Sequence, residues 1–137
     1  MSVTLTAQDQ ATLRTAAYGA VSLITASGMY SGSAHKAATG GTLALTTATG
    51  SIGHVLAGVR AKDIGLNGKN VAELADQVFP ALTAAMGLLK QQDSAEADNF
   101  RSTVLVAVET ATRTQKGAVS PAVSDMTRKI TAALDAA

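Results

Sequence analysis

The two histidines are the side chains best suited to acid–base chemistry, and their spacing argues against a shared role. His35 and His54 are the only imidazoles in the chain. In one continuous helix they would lie about five turns apart, which is too far to bind the same metal ion. Neither follows a glutamate at the three-residue spacing used in di-iron bundles. We expect His35 at the surface, and we expect His54 to be a hydrogen-bonded interior or interface group.

The positions of the acidic residues and the absence of cysteine both argue against a catalytic or metal centre. The acidic residues cluster at the predicted starts of two helices, as Glu73 with Asp76 and as Asp93 with Glu96 and Asp98. Acidic side chains in a first turn are favoured by the helix dipole, which is a sufficient structural reason for them. Because the chain has no cysteine, thiol catalysis and thiolate metal sites are excluded. We therefore predict no catalytic residue, no metal ligand and no cofactor.

A few large side chains among many small ones are candidates for lining a ligand pocket. Tyr18 and Tyr30 lie in a part of the chain without charges, and Phe79 and Met86 lie in the third predicted helix. Together with His54 they form the predicted ligand-binding set, for a small apolar molecule held between the first and third helices. Large residues at helical spacing are also typical of an ordinary core, and this alternative stays open.

The overall charge and the few aromatic residues argue against nucleic acid as a partner. The net charge is +1, and the basic residues are scattered along the sequence. Electrostatic binding of nucleic acid needs a concentrated basic surface, and binding of single strands also uses aromatic stacking platforms. Aromatic residues make up 3% of the chain. The first residues lack a positive segment followed by an apolar run, so we predict no secretory signal and expect a cytoplasmic protein.

Charged residues are missing from two long segments in the first half of the chain. Residues 15–34 and 37–59 carry no formal charge. Three interpretations compete: a transmembrane hairpin, a pair of central helices covered by later ones, or a subunit interface. The many threonines and glycines of 37–59 argue against insertion into a membrane. The other two interpretations are compatible, because a protein interior and an interface core both disfavour charged side chains.

Helical signals recur along the whole sequence. Thr6, Asn70 and Asp93 are each placed to cap the start of an apolar stripe of helical period. The stretch 40–50 is less regular, because it is rich in glycine and threonine, and a short pair of strands is the alternative there. Pro80 predicts a kink in the third helix, since proline removes one backbone hydrogen bond.

The predicted fold is all-α, and its helices pack closely through alanine and glycine. Short connections favour an antiparallel bundle that forms a single domain over residues 1–137. The predicted helices lie at roughly 7–28, 34–59, 71–91, 94–116 and 121–136.

The charge pattern leads to the functional prediction. We predict a non-enzymatic helical bundle that acts by self-association, as a homodimer, or by protein–protein interaction through its uncharged first two helices. The alternative is a bundle that binds the small apolar ligand described above.

Overall fold

A computed structural model describes residues 4–27, 45, 50–57, 70–113 and 121–137. Of these residues 91% are helical, and none lies in a strand. They form five helices, which are α1 (Ala7–Ser27), α2 (Gly50–Leu56), α3 (Val71–Gln92), α4 (Ser94–Arg113) and α5 (Pro121–Asp135). The prediction of an all-α fold is therefore confirmed.

The helix bounds agree closely with the prediction, except in the second segment. There the structure describes Leu45 and residues 50–57, which include α2, and the rest of 34–59 lies outside the described residues. The alternative of a strand pair falls mostly on that undescribed part. α3 runs through Pro80 without a break. The kink at this proline, the antiparallel order of the helices and the single domain over the whole chain stay predictions.

The starts of three helices are fixed by side chains that accept backbone N–H groups. The Thr6 hydroxyl accepts the Asp9 N–H at 3.0 Å, and the Asp9 carboxylate accepts the Thr6 N–H at 3.1 Å. The Asn70 side chain accepts the N–H of Glu73 at 2.9 Å, and the Asp93 carboxylate accepts the N–H of Ala95 at 3.0 Å. Each bond satisfies a donor that has no partner within its own helix. The predicted caps are confirmed at these positions.

α1 is the central helix among the described elements. It contacts each of the other four helices. Six consecutive residues, from Ala16 to Val21, are buried. Side chains that leave the helix axis in every direction are therefore covered, whereas a surface helix buries a single stripe. Of the interpretations offered for the missing charge, the central-helix interpretation is correct for α1.

Small residues allow α1 and α3 to approach each other closely. A Cβ atom added at Gly19 would overlap Cγ2 of Val78 and would lie 3.1 Å from its Cγ1. Val78 itself is fully buried. Only glycine leaves room for the valine at this point, so the predicted close packing through small residues holds at this contact.

The last two helices complete the core and are joined to it by a few polar contacts. α5 buries Val123, Met126, Ile130 and Leu134, one apolar stripe at helical spacing. The Thr83 hydroxyl of α3 donates to the Ala133 carbonyl of α5 at 2.7 Å. Arg101 of α4 forms a bidentate salt bridge with Asp135 of α5, in which Nε donates to Oδ1 at 2.9 Å and Nη2 donates to Oδ2 at 3.3 Å. Among the described residues, no charged side chain is buried.

Candidate functional site

Tyr18, the first predicted ligand-binding residue, joins α1 to α2. Its side chain is buried, and its hydroxyl donates to the carbonyl of Leu56, the last residue of α2. One turn earlier, Arg14 Nε donates to the Val55 carbonyl at 3.0 Å. Burial raises the pKa of the Tyr18 phenol, and the nearby Arg14 charge opposes that shift. The two side chains together satisfy carbonyls at the end of α2 that have no intrahelical partner.

The third-helix members of the predicted set belong to the core. Met86 is buried, and Phe79 is partly buried and packs against the same apolar cluster. Tyr30 lies outside the described residues. Neither of the two grooves described below is lined by Tyr18, Phe79 or Met86. Burial in the core is what the alternative of an ordinary core expects for Met86 and Phe79, and their role in ligand binding stays a prediction.

His54 is exposed on α2, so its predicted interior position is wrong. α2 has seven residues and lies at the surface of the bundle, where it buries Ile52, Val55 and Leu56 beneath it. The helix makes only about two turns, and His54 lies on its outer side. An interface position for His54 remains a prediction. The imidazole lies in the last turn of α2.

A groove runs between α1 and α3 beside Pro80. Its volume is about 330 Å³, and it is open to solvent. It lies between the two helices that the sequence selected for a ligand, but a different set of residues lines it. The lining residues are small or neutral: Gln8, Ala11, Thr12, Thr15, Pro80, Ala81 and Ala84. The sequence signal that could have located it is the uncharged run from Gln77 to Leu89, which covers the middle of α3.

A second groove separates α4 from α5. Its volume is about 320 Å³, and it too is open to solvent. Leu105 and Val108 provide apolar lining, while the hydroxyls of Thr112 and Thr127 donate to carbonyls of their own helices, at 2.9 and 3.0 Å. Glu109 and Ser124 complete it. Sequence reasoning missed this groove, because its residues are brought together by the packing of α4 beside α5 and not by any motif.

The carboxylates are distributed as helix caps and surface groups. Asp9 and Asp93 cap helices, and Asp76 and Asp98 are exposed. One oxygen of Glu96, Oε2, is buried without a hydrogen-bond partner. Within the described ranges, no three His, Asp or Glu side chains come close enough together to hold a metal ion.

None of the helices formed by the described residues combines the length and the apolar character needed to cross a membrane. No family model, curated protein or solved structure matches this chain. Functional inference therefore depends on the arrangement of its own residues.

Proposed function

We propose that this protein is a non-enzymatic helical bundle that acts by association with a second copy of itself, through the exposed side of α2, which belongs to the uncharged segment 37–59. The observation that carries the proposal is a neutral surface helix. α2 belongs to this segment; its exposed described residue is His54, and the exposed Ala57 directly follows the helix. A cytoplasmic location is part of the same proposal.

The buried position of α1 limits the proposed subunit interface to α2. Because residues 16–21 of α1 are all buried within their own chain, burial accounts for the lack of charge there, and that lack no longer argues for a partner. Burial accounts for Ile52, Val55 and Leu56, but it does not account for the missing formal charge at the exposed positions His54 and Ala57. The outer sides of the later helices do carry charge, as at Glu73, Lys90, Asp98 and Lys129. A contact between two subunits would explain the difference, because interface cores are depleted of charged residues.

A pair of matched substitutions tests the proposal. Ala57 directly follows α2, and Ala132 lies in the last turn of α5; both are exposed and both lie near a helix C-terminus. We expect Ala57→Glu to weaken the dimer at least about 100-fold, because a carboxylate without a partner would be desolvated in the interface. Ala132→Glu should leave the dimer intact. Native mass spectrometry and sedimentation over a range of concentrations measure the dissociation constant of each variant.

Two results would overturn this proposal. One is a wild-type chain that stays monomeric at every concentration. The other is an Ala57→Glu variant that associates as strongly as Ala132→Glu. Circular dichroism of both variants shows whether they keep the helical fold, so that a loss of association is not mistaken for unfolding.

A second candidate function, the binding of a small apolar ligand between α1 and α3, is favoured by the groove beside Pro80. Its volume of about 330 Å³ falls within the range of small-molecule sites. None of the described residues that line it is charged, so an uncharged molecule could enter without leaving a charge on these residues unpaired.

A large side chain placed in the groove distinguishes ligand binding from self-association. Ala84 lines the groove and is exposed, and Ala122 is an exposed alanine of α5 away from it. A ligand found in a thermal-shift screen of uncharged apolar compounds should raise the Tm of the wild type and of Ala122→Trp. Ala84→Trp should abolish the shift. A screen without any shift, or a shift that survives in Ala84→Trp, would exclude this site.

A further inference from the structure

We draw no further inference here: the strongest candidate, the open groove of about 320 Å³ between α4 and α5 that Leu105 and Val108 line, is an apolar surface, and nothing among the described residues shows what covers it.

Discussion

The same substitution at two glycines should change stability in opposite directions. Gly19 and Gly87 both lie inside long helices, and replacing a helical glycine by alanine is worth about 1 kcal/mol in helix propensity. At Gly87 an added Cβ meets nothing within 4 Å. We therefore expect Gly87→Ala to raise the free energy of unfolding by about 1 kcal/mol.

At Gly19 the added methyl group has no room. It would overlap Cγ2 of Val78 and would lie 3.1 Å from Cγ1 and 3.3 Å from Cβ, whereas carbon atoms prefer about 3.5–4.0 Å. Valine in a helix has essentially one side-chain rotamer, so Val78 cannot turn away, and the helices must separate. Overpacking of this kind costs about 1–3 kcal/mol. Taking the upper end and subtracting the gain in propensity, we expect Gly19→Ala to destabilise the fold by about 2 kcal/mol.

Urea unfolding followed by far-ultraviolet circular dichroism measures both effects, and equal m-values would show that the same structure unfolds in each variant. A double-mutant cycle identifies the cause. Val78→Ala removes the two methyl groups that the new Cβ meets, so Gly19→Ala should cost less in that background, with a coupling energy within about 0.5–3 kcal/mol. If Gly19→Ala stabilises the protein as much as Gly87→Ala does, α1 and α3 do not approach each other at Val78 as described.

Two further predictions concern the phenol that holds α2 to α1. Tyr18→Phe should lower the free energy of unfolding by about 1–2 kcal/mol, because the Leu56 carbonyl loses its donor in a buried contact. Protection of the α2 amides from hydrogen exchange should fall more than protection of the α4 amides. Unchanged exchange in both helices would contradict the conclusion that the hydroxyl holds α2 to α1. Burial raises the pKa of Tyr18 in the folded state, so the folded chain holds this proton more tightly than the unfolded chain, and its stabilising effect is complete below pH about 10 and is lost as the pH rises from there through the raised pKa. The free energy of unfolding should therefore fall more steeply with rising pH in the wild type than in Tyr18→Phe. Parallel curves for the two proteins would refute a raised pKa of Tyr18 in the folded state.

The later helices show how much local signals can specify. Asn70 and Asp93 cap the starts at which they were expected, and the stripe of α3 is buried at Val78, Leu82, Ala85 and Leu89. These features depend on residues within a few positions of each other, so helical periodicity and cap chemistry are sufficient to predict them.

Local sequence signals could not decide whether α1 is a central helix or an interface helix. A central helix and an interface helix lose their charged side chains for the same reason, because both are removed from water. The deciding fact is that α3, α4 and α5 all contact α1. This fact concerns pairs of residues far apart in the sequence, and no local pattern contains it. Alanine and glycine also weaken the apolar stripe from which the buried side of a helix is predicted, since small residues are compatible with burial on any side.

The candidate site was the least predictable part. Tyr18 was selected as a large residue that could border a cavity, but its hydroxyl instead reaches the end of another helix. His54 was expected inside the fold or at an interface, and the shortness of α2 leaves it exposed in the single chain. Both outcomes depend on where α2 lies relative to α1, which composition and spacing do not determine.

The central position of α1 also constrains the order in which this chain can fold as it is synthesised. α1 is the first of the described helices to leave the ribosome, but the helices that cover it are made tens of residues later. Its buried apolar positions are spread over more than half of its circumference, so it gains little from forming alone in water. α1 acquires its full set of contacts only after α5 has emerged. A nascent chain arrested before Pro121 therefore lacks the part of the α1 environment that α5 provides.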